Sequence, residues 1–144
     1  MITSEELEAF IVRAKAASYV GDGELRFTDG DLEYCDSYLG GADFLGQEVV
    51  RVGSTPIWGM NYYGFLLEPG VLDAAGAGRV IKRALSAMYA EGRFLGGFSY
   101  RQDDWVYVDE SQGTVDRFEG GERIESADGT TAYRLSYHGG RILA

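Results

Sequence analysis

The residue types best suited to chemistry sit close together in the first half of the chain. Asp36 falls between Tyr34 and Tyr38 at a spacing of two. In an extended strand that spacing puts all three side chains on one face. Trp58 and Tyr62 share a face of a second extended stretch, with Asn61 beside them in sequence. Strand parity points Asn61 the other way, so it joins the aromatic wall only where a bulge re-aims it. An aromatic wall carrying a few polar groups is how a small-ligand site is built. Tyr34, Asp36, Tyr38, Trp58, Asn61 and Tyr62 are therefore the expected ligand-binding set. Asp36 is the key polar group, because a carboxylate on an aromatic face is costly unless hydrogen-bonded. The chain has 10 tyrosines. Their hydroxyls need partners when buried, which suits a half-wet groove or an interface better than a dry core.

Other chemistry is sparse. His138 is the sole histidine and Cys35 the sole cysteine. A Cys–His or Ser–His arrangement would have to use His138, which the pattern places at the end of a strand. Cys35 reads as a small hydrophobe on the face opposite Asp36. There is no phosphate-binding glycine loop, no zinc-protease helix and no nucleophile elbow. Gly76-Ala77-Gly78 lacks the spacing of a dinucleotide loop. No catalytic set, metal site or cofactor is expected.

Composition bounds the partners. The net charge is −10 and the pI near 4.5, so direct binding to nucleic acid or to an anionic membrane is not expected. From Arg101 to Asp128 nine acidic residues face three arginines. That stretch reads as a solvated sheet face, and secondarily as a docking surface for a basic partner. No apolar run reaches the ~20 residues of a membrane span. Residues 1–10 lack a basic, apolar leader. A lone cysteine cannot close an internal disulfide, so a cytoplasmic setting is expected. The chain reads as a monomer or homodimer.

The positioning elements follow from pattern. Thr3 and Glu6 form a capping box for a first helix that Gly21-Asp22-Gly23 ends. Leu7, Phe10, Ile11 and Ala14 mark its buried face. Strands are expected over 24–28, 31–39, 47–52 and 56–66. A second helix spans 72–89, with Val80, Ile81, Ala84, Leu85 and Met88 facing the core. Strands over 104–110, 114–119, 123–126 and 132–138 complete the chain, the last two joined at Asp128-Gly129. Short turns favour antiparallel pairing. The expectation is one α+β domain over residues 1–144, a curved and mostly antiparallel sheet packed on a central helix, with an N-terminal helix. No repeat at a fixed period is evident.

Several stretches together resemble a known family. They are Asp31-Leu32-Glu33-Tyr34, Asp36-Ser37-Tyr38-Leu39-Gly40-Gly41, Gly46-Gln47-Glu48, Trp58-Gly59-Met60-Asn61-Tyr62-Tyr63-Gly64 and Tyr137-His138-Gly139-Gly140. The chain resembles, over nearly its whole length, the bacterial domain of unknown function 5680. Members of that family stand alone or follow helix-turn-helix modules. This chain opens at the domain's first helix and so resembles the stand-alone form. The resemblance implies a bacterial cytoplasmic sensing or partner-binding domain, with no reaction and no catalytic residue. The leading expectation is a non-catalytic binding domain, holding a small ligand or protein partner in a tyrosine-rich groove. The alternatives are a small enzyme using Asp36 or His138 as acid or base, and an acidic inhibitor or immunity-type protein using the Asp103 to Asp128 surface.

Overall fold

A computed structural model describes residues 1–21 and 23–144. Helix α1 covers Ser4–Ala17. It starts where the capping box requires. The Thr3 hydroxyl accepts from the Glu6 amide at 3.1 Å, and the Glu6 carboxylate accepts from the Thr3 amide at 2.9 Å. Ser18 closes it by donating its hydroxyl to the Ala14 carbonyl. Of the expected Gly21-Asp22-Gly23 breaker, Asp22 lies outside the described residues.

Four strands follow: β1 (Arg26–Asp29), β2 (Leu32–Gly40), β3 (Phe44–Val52) and β4 (Thr55–Leu66). Helix α2 covers Ala74–Ala90, and its N-cap Asp73 accepts from the Gly76 amide at 2.8 Å. Four more strands complete the chain: β5 (Phe98–Gln102), β6 (Trp105–Thr114), β7 (Arg117–Ser126) and β8 (Thr131–Arg141). All eight form one curved antiparallel sheet in the order β1-β2-β3-β4-β8-β7-β6-β5. Both helices pack on one face of it. Leu7, Phe10 and Ile11 from α1 and Val80, Ile81 and Ala84 from α2 are buried in one cluster with Val50, Trp58, Tyr107 and Ile124.

Three details differ from the sequence expectation. Strand β5 was not anticipated. The two short strands expected over 114–119 and 123–126 are one strand, β7, which runs straight through Gly120-Gly121. Leu85 is partly buried rather than central to the core.

The molecule is also built twice. Each half is a helix followed by a four-strand meander, and the halves meet where β4 pairs with β8. Tyr62 on β4 faces Tyr137 on β8 at that seam. In β2 and β6, Tyr34 and Asp36 correspond to Tyr107 and Asp109. In β3 and β7, Gly46, Glu48 and Val50 correspond to Gly120, Glu122 and Ile124. In β4 and β8, Trp58, Met60 and Tyr62 correspond to Tyr133, Leu135 and Tyr137. Register agrees: Asp36 pairs with Glu48, and Asp109 with Glu122. Gly40, which ends β2, and Gly113, one residue before the end of β6, both adopt positive φ (102° and 95°). A side chain at either would strike the backbone carbonyl of Asp43 or Arg117, so glycine is required twice for one reason.

Candidate functional site

Between the sheet and the two helices lies a cavity of about 300 Å³, at the small end of ligand sites. Ile81 and Leu85 of α2, Phe44, Met60 and Leu66 of the sheet, and Phe94 give it apolar walls. The duplicated residues give it polar ones. On the first half, Tyr62 donates to Asp36 Oδ1 at 2.6 Å, and Tyr34 donates to Glu48. On the second half, Tyr137 donates to Asp109 Oδ1 at 2.6 Å, and Tyr107 donates to Glu122. Four carboxyl groups therefore converge, each holding one tyrosine hydroxyl.

Glycine makes this possible. Gly46 pairs with Tyr62 and Gly120 with Tyr137 across the strands. A Cβ at either glycine would occupy the space of that tyrosine's hydroxyl end. The bare backbone lets each ring lie across its neighbouring strand and reach the carboxylate one strand further on.

The helices add one cation and one phenol. Lys15, only 7% exposed, reaches down from α1 to Glu48, 6% exposed, at 2.6 Å. Its ammonium also lies 5.2 Å from the Phe94 ring centre. Tyr89 of α2 stands among Glu48, Glu122 and Asp109, and burial with these charges holds its phenol protonated. Tyr133 also lines the cavity. It is 2% exposed, and its hydroxyl has no hydrogen-bond partner among the described residues. Such a group costs about 1–3 kcal/mol unless something supplies the bond.

Burial sets the protonation. Asp36 is pushed up to about 6, first by loss of solvent and then by the charge of Glu48, while the Tyr62 hydrogen bond pulls it down. Asp109 is raised, chiefly by burial. Glu122 is pushed up to about 8 by burial and by the charge of Asp109. Near pH 7 it holds its proton. Among the described residues, no three His, Cys, Asp or Glu side chains are grouped to ligate a metal ion.

Raised carboxyl groups make stability depend on pH. Between about pH 4.5 and 8 the folded chain keeps protons that the unfolded chain releases, so these groups lower stability as pH rises. Below about pH 4 the opposite class dominates. Asp128, held down to about 2 by the Ser126 hydroxyl and Thr130, loses its contribution as it protonates. The melting temperature is therefore expected to peak near pH 5 and fall toward pH 8. Glu122→Gln keeps an acceptor for Tyr107 and removes the charge. It should flatten the alkaline limb and stabilise the protein at pH 8 by about 1–2 kcal/mol. Thermal melts from pH 4 to 9 measure this, and a variant curve parallel to the parent's would refute it.

The residues expected from sequence divide by face. Tyr34, Asp36, Tyr38 and Tyr62 line the cavity, Tyr38 at its half-exposed rim. Trp58 does not. It is fully buried beneath, stacked on Phe118 at 5.8 Å, with its indole N–H donated to the Val115 carbonyl. Asn61 is on the opposite sheet face, exposed and accepting from Gln47 at 2.9 Å. The register shift in β3 and β4 falls at Val50/Arg51 and so does not re-aim it. His138 pairs with Asn61 across the strands and is likewise exposed. Sequence reasoning did not find Lys15, Glu48, Asp109, Glu122, Tyr133 or Tyr137. The repeated Tyr-x-Asp of residues 34–36 and 107–109 was the signal available for the second half.

The acidic residues from Asp103 to Asp128 do not all face solvent. Asp109 and Glu122 point into the cavity. Asp116 is held by Ser4 and Arg141, Glu110 and Glu125 flank Arg123, and Asp128 caps a turn.

The model of the family described as domain of unknown function (DUF5680) matches residues 36–142. The chain belongs to that family. No curated protein and no solved structure matches it. The matched span contains both carboxylate–tyrosine sets except Tyr34, and omits α1 with Lys15. Among the described residues of this DUF5680 protein, no helix is long and apolar enough to cross a membrane.

Proposed function

We propose that this DUF5680 domain binds a small organic molecule in the cavity between its helices and its sheet, without transforming it. The observation that carries the reading is the Tyr133 hydroxyl, buried and unpartnered in the wall of a formed cavity. A fold with no ligand to receive would gain by replacing it with phenylalanine. The raised carboxyl groups support the same reading. Four acids held together at a cost to stability are expected at functional sites and not in a purely structural core. The dispersal of the Asp103 to Asp128 charges speaks against a docking surface for a basic protein. A second reading, acid–base catalysis with Asp36 as base, draws on its pKa of about 6. Recovery of a bound compound unchanged separates binding from turnover.

A thermal-shift screen of metabolites tests the proposal, with Gly78→Leu as the control. Gly78 lines the cavity on α2, and an added Cβ there meets only Tyr19 at ordinary contact distance. Leucine fills space and removes a mid-helix glycine, so the variant is expected to fold at least as well. A ligand at about 100 times its dissociation constant adds ~2.7 kcal/mol of stability to the parent. The shift should be absent in Gly78→Leu. Equal shifts in both proteins would place binding elsewhere and overturn the proposal.

A further inference from the structure

The hydrogen-bonding balance of the cavity narrows what can occupy it. Most of its own donors are already spent on its own acceptors, the unpartnered Tyr133 hydroxyl being the exception among the buried tyrosines. Tyr34, Tyr62, Tyr107 and Tyr137 each carry a single O–H, and each directs it at a carboxyl oxygen. Lys15 directs its ammonium at Glu48. What these groups leave over is acceptor capacity. An ionised carboxylate accepts at about four sites and a phenol oxygen keeps a lone pair after donating. The site is thus rich in acceptors and poor in donors, and an occupant must bring donors.

The charge balance points the same way. Asp36 on β2, Glu48 on β3, Asp109 on β6 and Glu122 on β7 face the cavity. Among the described residues Lys15 on α1 is the only cationic side chain lining it, the Arg93 charge also acts on Asp109 from outside the lining, and α2 contributes the neutral Tyr89. Four carboxyl groups against one lining ammonium, with Arg93 acting on Asp109 alone, is an under-compensated set even with Glu122 protonated, and buried carboxylates short of counter-charge are costly. Among the described residues, those that would ligate a metal ion are not grouped to do so. A counter-charge must then arrive on an organic body that also fills the apolar walls formed by Phe44, Ile81, Leu85 and Phe94. Tyr133, buried and unpartnered, supplies an acceptor or donor for that body.

We propose that the ligand of this cavity is an organic cation, an ammonium or guanidinium group on an apolar or aromatic frame, with the charge seated between Asp36 and Asp109 and their tyrosines. The inference rests on the cavity being a ligand site and deepens that reading. Two consequences follow. Binding brings positive charge beside groups whose protons are held by burial, so it expels protons. Affinity rises with pH as Asp36 and Asp109 ionise, across the range in which the ligand itself stays cationic.

Matched probes test this by calorimetry and thermal shift. The amines are 2-phenylethylamine, tryptamine and 1,6-diaminohexane. Each is compared with its alcohol (2-phenylethanol, indole-3-ethanol, 1,6-hexanediol) and with a carboxylate of the same frame. The expected result is binding of at least one amine, at least tenfold tighter than its alcohol, with no detectable binding of the carboxylate. That amine should bind more tightly at pH 7.5 than at pH 5.5 and should release protons on binding. Asp36→Asn should weaken it at least tenfold while leaving the melting temperature of the unliganded protein unchanged or raised. Should Asp36→Asn fail to fold, Asp109→Asn is the equivalent test on the second half. An alcohol or carboxylate binding as tightly as its amine, with the shift lost in Gly78→Leu, overturns the cation assignment and leaves the cavity reading standing. Amine binding undiminished in Gly78→Leu overturns both. No binding by any of the three amines at millimolar concentration overturns the cation assignment.

Discussion

Replacing Lys15 with methionine is expected to cost about 3–5 kcal/mol of folding stability at pH 7. The side chain is aliphatic up to its ammonium, so methionine keeps most of the packing and removes the charge. What it leaves is Glu48, 6% exposed, with the Tyr34 hydroxyl still donating to it but without its cation. Asp36 and Asp109 lose an attractive charge as well, since Lys15 lowers the pKa of both. A buried charge stripped of its partner is more damaging than a pair exchanged together. Lys15→Met with Glu48→Gln should therefore recover most of the loss. Urea unfolding of the four proteins in that cycle supplies the numbers. A single-variant loss under about 1 kcal/mol would mean that Lys15 is not the cavity's counter-charge.

The second large effect belongs to the paired glycines. Gly120→Ala is expected to lose about 1–3 kcal/mol or somewhat more, and Gly46→Ala distinctly less. At both sites the added methyl collides with a tyrosine hydroxyl end, Tyr137 or Tyr62. A side-chain tip can swing away, at the cost of its bond to Asp109 or Asp36. At Gly120 the methyl also meets the Glu110 carbonyl oxygen at 2.6 Å, and backbone in the middle of a sheet cannot move so readily. Equilibrium unfolding of the two variants gives the order directly. Equal losses, or a larger one at Gly46, would contradict the register described for β6, β7 and β8.

Much of the fold was legible because its signals are local. The Thr3–Glu6 box, the apolar stripe of α2 and the alternation of Tyr34, Asp36 and Tyr38 each need only a few residues to be read. The antiparallel sheet followed from short turns. The misreadings came from interactions distant in sequence. Gly120-Gly121 looks like a turn until the ring of Tyr137, from the next strand, is seen to need that space. Lys15 sits in the last turn of α1, where a basic residue ordinarily serves the helix dipole in solvent, and nothing near it in sequence announces Glu48. Asp109 and Glu122 were hidden in plain view, counted into an acidic stretch that the sheet divides between cavity and surface.

The duplication escaped for a different reason. The separation between counterparts lengthens by one residue from the β2/β6 pair to the β3/β7 pair, and by one more at β4/β8. No single period aligns the halves, and their matching residues are few. Only the register, which sets Asp36 beside Glu48 and Asp109 beside Glu122, makes the correspondence plain. The duplication is also why half of the site could be read and half could not. Tyr34, Asp36 and Tyr62 were found from the first copy, and their counterparts in the second were not carried over.

A crystal structure of the protein as purified from cells, without added ligand, tests the central claim most directly. The account predicts an open cavity holding density for a small molecule, with a polar atom within hydrogen-bond distance of the Tyr133 hydroxyl and a donor facing Asp36. A cavity closed by its own side chains, with the Tyr133 hydroxyl bonded to a protein group, would contradict it.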